Sequence, residues 1–176
     1  MTRCFIGFLI PDEIKARILS IQKGLEALPM KCKFVEEENL HISLSFLGEV
    51  EDSKIDEISN KLDNISKNYG KIHAKITGIK PIPNRNYMRV LALGVVDEGR
   101  LKEISSMIEK EIGGDVKPPH LTLCRIREIT NKNKFWEFID RCDDVNIEID
   151  IDSIQLIKSE LKRSGPVYSV IHRSLL

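Results

Sequence analysis

The apolar residues change their spacing along the chain, and the same order of changes occurs twice. Residues 3–10 (RCFIGFLI) form a compact strand-like run. Asp12–Leu28 then carries Ile14, Ile18, Ile21, Leu25 and Leu28 at helical spacing until Pro29 stops it. A strand opening at His41 follows. Asp52–Lys67 next places Ile55, Ile58, Leu62 and Ile65 on one helical face, and residues 71–79 alternate with Ile72, Ala74 and Ile76 to one side. Pro81-Ile82-Pro83-Asn84 interrupts the pattern, and the order begins again. Tyr87–Val96 reads as a strand, and Glu98–Ile112 as a helix with Leu101, Ile104, Ile108 and Ile112 inward, closed by Gly113-Gly114. A strand opening at His120 comes next. Asn131 is placed to cap a helix that holds Phe135, Phe138, Ile139 and Cys142, with Trp136 as a further core residue. Strand-like segments at 145–157 and 166–173 end the chain.

Two periods given twice predict an α+β fold. The expectation is a single bilobal domain over residues 1–176, made of two pseudo-symmetric lobes. Each lobe has a mainly antiparallel sheet backed by helices. The first half runs to about residue 80 and the second from about 85, with the terminal strand free to cross between lobes. Overt identity between the halves is slight, so the repeat is one of architecture.

Charge narrows the function. The 176 residues contain 27 Lys+Arg and 27 Asp+Glu. A protein that coats duplex nucleic acid normally carries a basic surplus. Contact with nucleic acid is therefore expected at a small, locally positive place such as a strand end. No apolar run is long enough to span a membrane, and the start lacks a cleavage site and runs straight into a helix, unlike a signal peptide. Cys4, Cys32, Cys124 and Cys142 show no CxxC pair and read as small buried hydrophobes. A reducing, cytoplasmic setting is expected.

The chemistry-bearing pattern is NLHISLSFLG, residues 39–48, echoed by PPHLTLCR at 118–125. Strand alternation puts His41, Ser43 and Ser45 on one face, with Ile42, Leu44 and Phe46 on the other. His120 and Thr122 share a face in the same way. Two of only four histidines following one pattern by chance is an event on the order of 1 in 10,000. If the polar faces meet across a cleft, two imidazoles and two hydroxyls converge on one centre. Such a pair suits general base and general acid work on opposite sides of a reacting atom. His73 and His172 lack the pattern and read as solvated. The Glu36-Glu37-Glu38 run reads as a solvated turn. Lys158, Lys162 and Arg163 form either a basic rim for an RNA end or a charged hairpin. Tyr168 either stacks a base or packs.

Both histidine motifs resemble the HxTx signature of the two-histidine phosphoesterases. Within them the chain is similar to the RNA 2′,3′-cyclic phosphodiesterases, also called 2′-5′ RNA ligases (LigT or ThpR type). RCFI at 3–6, ENLHISLSFLGEV, PPHLTLCR and LIKSELKRSGPVY at 156–168 extend the likeness over nearly the whole chain. Ser43 replaces the usual Thr but keeps the hydroxyl, and Phe34 stands where Trp is frequent. The resemblance implies an active groove between lobes, no cofactor and no metal ligand. It implies hydrolysis of terminal 2′,3′-cyclic phosphates to 2′-phosphomonoesters, with His41 as proton donor and His120 as proton acceptor. Ser43, Thr122 and Arg125 would hold phosphate, with Tyr168 and Lys158 as further base or RNA contacts. Strict alternation, however, turns Arg125 away from the groove unless the strand ends or bulges near Cys124. The implied partners are RNA ends bearing cyclic phosphate or small nucleotides, met by a monomer that touches no membrane. Joining of tRNA halves through a 2′-5′ linkage is the alternative activity, and non-catalytic binding of an RNA end is the alternative from a different class.

Overall fold

The structure is a computed structural model that describes residues 1–141 and 144–176. Ten strands and four helices succeed one another as β1 (Thr2–Leu9), α1 (Asp12–Leu25), β2 (Met30–Phe34), β3 (His41–Val50), α2 (Ile55–Ser66), β4 (Ile72–Pro83) and β5 (Met88–Val96). After these come α3 (Arg100–Glu111), β6 (Asp115–Val116), β7 (His120–Ile129), α4 (Lys132–Ile139), β8 (Ile147–Ile151), β9 (Ser153–Lys162) and β10 (Gly165–Leu175). The strands join one antiparallel sheet in the order β10-β9-β1-β3-β7-β5-β4-β8, with β6 beside β3 and β2 beside β7. The predicted α+β class is the one observed.

Between β3 and β7 the ladder thins to a single register pair, Ile42 opposite Leu121. That pair divides the sheet into two lobes, β10-β9-β1-β3-β6 and β2-β7-β5-β4-β8. The lobes do not follow the two halves of the chain. Strands β2 and β4 from the first half complete the second lobe, and β6, β9 and β10 from the second half complete the first.

The helices form where the apolar spacing predicts. Ile18 and Leu25 of α1, Leu62 and Ile65 of α2, Leu101, Ile104 and Ile108 of α3, and Phe135 and Ile139 of α4 are all buried. Asn131 caps α4 through Oδ1, which accepts from the Lys134 amide at 3.1 Å. Helix α1 stops at Leu25, short of the expected Leu28, although Leu28 remains buried. Two short strands escape the sequence pattern, because β2 (MKCKF) and the two-residue β6 carry too few apolar positions to show a period. The expected strand 145–157 is two strands meeting at Asp152. Cys4 and Cys124 are buried and Cys32 half-buried, all three as free thiols; Cys142 lies outside the described residues.

One glycine fixes how closely β1 approaches β3. A Cβ at Gly7 would lie 2.2 Å from the Ile42 carbonyl oxygen and 3.1 Å from Ser43 Cα. Backbone, not a flexible side chain, occupies that space. Gly7→Ala is therefore expected to cost about 1–3 kcal/mol by forcing the strands apart. Chemical denaturation measures that loss, and unchanged stability would show that β3 gives way freely.

Candidate active site

The Ile42–Leu121 pair sets the geometry of the polar face. Continuing its antiparallel register by one residue each way puts His41 across from Thr122 and Ser43 across from His120. All four side chains then stand on one face. The two histidines are diagonal neighbours at a cross-strand spacing of about 7–8 Å, a gap that suits a tetrahedral phosphorus. All four line one groove of about 460 Å³ between the lobes, which Arg125, Phe34, Glu36 and Tyr168 also line.

Each imidazole is held in the same way. His41 Nδ1 lies 2.6 Å from the Asn39 carbonyl oxygen, and His120 Nδ1 lies 2.8 Å from that of Pro118. A carbonyl can only accept, so Nδ1 carries the hydrogen in both rings. Nε2 is left as the exchangeable nitrogen: a base when the ring is neutral, an acid when it is charged. The shared i−2 contact makes the two rings equivalent in tautomer and different only in surroundings.

Those surroundings are lopsided. The His41 ring sits against Phe5 (centroids 4.9 Å apart) and meets Tyr168 edge-on at 5.1 Å, with Phe5 and Tyr168 also 5.0 Å apart. Burial pushes the His41 imidazole below its ordinary value. The charges of His120 and Arg125 act in the same sense, against the opposing pull of the Asn39 carbonyl. Tyr168 therefore packs against the imidazole. Burial also holds its own phenol above the usual range.

Arg125 enters the groove through a bulge. On β5, Ala92 pairs with Thr122 and Leu91 with Cys124, so Leu123 has no partner there. The extra residue shifts the alternation: Leu123 and Cys124 are both buried, and Arg125 emerges on the histidine face. The Leu123 carbonyl released by the bulge accepts from the Val35 amide at 2.9 Å and from Gln22 Nε2 at 2.9 Å. Gln22 is itself buried and also donates to the Val35 carbonyl at 3.0 Å. The first lobe has the same bulge, since Gly7 pairs with Ser43 and Ile6 with Ser45, which leaves Leu44 over. Here the sequence reading needs correction. The bulge takes Ser45 out of alternation with His41: it is buried at the edge of the groove, where Oγ donates to the Gly113 carbonyl at 3.1 Å, and Phe46 emerges beside it.

Other sequence-derived residues fall in varied places. Glu36 is not a bare solvated turn residue. It lines the groove, receives Lys33 Nζ at 3.2 Å on Oε1 and accepts from Asn39 Nδ2 on Oε2. Asn39 also donates to the Pro166 carbonyl at 2.7 Å, tying the β9–β10 hairpin to the loop that orients His41. Lys158 points away from the groove lining, with Nζ 2.8 Å from Glu160. His73 is exposed beside Asp150, as expected, whereas His172 is half-buried and bonds Asp63 at 2.8 Å. Trp136 is half-buried under the Arg85 guanidinium, 4.1 Å from the ring centroid. Gln22, Asn39 and Glu36 gave no sequence signal, because a polar residue on a helix or in a turn reads as solvated until its partners are known.

The LigT like phosphoesterase family matches residues 8–92 and again 93–168. The chain belongs to this family. An RNA 2′,3′-cyclic phosphodiesterase of Methanocaldococcus jannaschii is 38% identical over 177 residues, covering 96% of this chain and 98% of that one. One of the same name from Methanothermobacter thermautotrophicus is 29% identical, covering 95% of each. The crystal structure of Escherichia coli LigT complexed with 3′-AMP superposes with a TM-score of 0.79 at 22% identity, covering 99% and 98%, and so shares the fold. Each of the two matched stretches contains one histidine strand, β3 in the first and β7 in the second.

Two outcomes follow for this phosphoesterase. Gln22→Met removes both amide donors at similar volume and leaves the Val35 carbonyl buried without its Gln22 partner. It should cost roughly 1–3 kcal/mol in denaturant unfolding and lower turnover through a displaced Arg125; wild-type turnover would show that the bulge holds without Gln22. The second outcome concerns acid. His41 resists protonation in the native state, so the unfolded chain takes up the proton first as pH falls below about 6.5. Stability should therefore drop between neutral pH and the lowered His41 value, and less so in His41→Gln. Equal slopes for wild type and variant in thermal melts across that window would contradict the buried-imidazole assignment.

Proposed function

We propose that the protein hydrolyses terminal 2′,3′-cyclic phosphates on RNA to 2′-phosphomonoesters, by proton transfer between its two histidines. The observation that carries this reading is the matched pair of imidazoles, each fixed by a backbone carbonyl at Nδ1, on one face of one groove. The relatives named RNA 2′,3′-cyclic phosphodiesterase support the same reaction.

In this reading the cyclic phosphate sits between His41 and His120. The Ser43 and Thr122 hydroxyls donate to its non-bridging oxygens, and the planar fork of Arg125 balances the charge that grows there. Neutral His120 takes a proton from water through Nε2 as the water oxygen bonds to phosphorus. The bond from phosphorus to the 3′ oxygen breaks, and His41 delivers its Nε2 proton to that oxygen. Phosphate remains on the 2′ oxygen, and the two histidines have exchanged protonation states. A proton returned from His120 to His41 through solvent resets them.

His41 must be charged to serve as the acid, although burial favours its neutral form. The arriving phosphate anion offsets that burial, so substrate binding draws a proton onto His41. The acid is thereby armed in the presence of substrate and idle without it.

Replacing His41 or His120 by Ala should reduce kcat by about 10²–10⁴-fold, the range for loss of one general acid or base, with a cooperative melting transition retained at neutral pH. kcat/KM should trace a bell against pH. Phosphorus NMR of a reacted dinucleotide cyclic phosphate should show the phosphate on the 2′ oxygen alone. Product with phosphate on the 3′ oxygen, or full activity in either Ala variant, would refute the mechanism.

A further inference from the structure

Four side chains of fixed positive charge line the groove: Arg3, Lys33, Lys117 and Arg125. Both lysines are already neutralised. Lys33 Nζ is 3.2 Å from Glu36, and Lys117 Nζ is 2.7 Å from Asp115. Neither arginine has an acidic partner within 4.0 Å among the described residues. A guanidinium with no acidic partner that lines a groove is available to bind an anion from solution.

The two arginines serve opposite lobes. Arg125 stands five residues after His120, just past the bulge in β7. The equivalent place in β3, five residues after His41 and just past the matching bulge, holds Phe46. The guanidinium of Arg3, on the neighbouring strand β1, lies over that ring at 5.1 Å from its centroid. Phe46 thus acts as a shelf on which the first lobe mounts its own guanidinium, held over the ring face and so partly preorganised. The near-twofold repeat puts one free guanidinium on each side of the reacting centre.

A cyclic phosphate carries one negative charge and two non-bridging oxygens. The mechanism above assigns those oxygens to Ser43, Thr122 and Arg125, which leaves Arg3 free. A single nucleoside cyclic phosphate offers nothing more. An RNA end does, because the 5′ oxygen of its last nucleotide bears the phosphodiester to the residue before. We propose that Arg3, mounted on Phe46, binds that penultimate phosphate and so makes the site selective for RNA ends over cyclic mononucleotides. The proposal rests on the cyclic phosphodiesterase reading. It also accounts for how a chain of zero net charge would hold a polyanion: one phosphate is met at each of two points, with no broad basic surface.

The test compares three substrates: adenosine 2′,3′-cyclic phosphate, its 5′-phosphorylated form, and the ApA dinucleotide ending in the cyclic phosphate. Wild-type kcat/KM should be roughly tenfold or more higher for the second and third than for the first, as expected of one charge-assisted contact. Added salt should narrow that gap. Arg3→Gln should bring the three values close together, mainly by raising KM for the two longer substrates, and Arg3→Lys should restore part of the difference. Equal losses on all three substrates, or a wild-type preference for the dinucleotide that the 5′-phosphate alone does not confer, would overturn the assignment to Arg3. Absence of turnover on all three would instead overturn the cyclic phosphodiesterase reading, and with it the assignment that depends on it.

Discussion

The contact on which the site depends is a single cross-strand pair, Ile42 with Leu121. Two sheets touch there and then part. Both residues are fully buried, so the seam is apolar on one side and polar on the other. Antiparallel register does the rest, because the residues flanking that pair must face each other. A slip of one residue in either strand would turn its histidine into the core and its apolar row into the groove. The hydrophobic pattern behind the strands therefore specifies the geometry of the polar groove in front of them.

Equal hardware in the two lobes does not give equal electrostatics. The Nδ1 contacts and the bulges are repeated, and both histidine strands present the residue five places after the histidine, Phe46 or Arg125, to the groove. What differs is the enclosure: His41 is wrapped by Phe5 and Tyr168. Burial makes the His41 imidazole harder to protonate. The difference between the two imidazoles therefore comes from two aromatic rings and not from the histidines themselves.

Much of this was legible in the sequence. Long amphipathic runs announced the four helices, and the two HxTx-like strings announced the site, because alternation along a strand is a strong geometric rule. The rule also marked its own point of failure: Arg125 could reach the groove only through a bulge near Cys124, and the register slips at Leu123. The same rule misplaced Ser45, because nothing in SLSF distinguishes a regular strand from one with an extra residue. The bulge in β7 is held by the Gln22 amide and the Val35 backbone, partners far away in sequence. Tyr168 is ambiguous in sequence for the same reason, since whether it faces a base or an imidazole depends on how the β9–β10 hairpin brings it beside Phe5 and His41. Short strands such as β2 and β6 have no period to read.

The traffic of strands between the lobes has a consequence for how such a molecule is put together. The expected interruption at Pro81-Ile82-Pro83 is in fact the end of β4, paired with β5. The residues up to Pro83 supply β2 and β4 to the far sheet, and those after it return β6, β9 and β10 to the near one. Neither half of the polypeptide holds enough strands to close its own layer. Either half alone would leave open strand edges, and the single chain has the form of two clasped halves with their ends tied together, the groove lying between them.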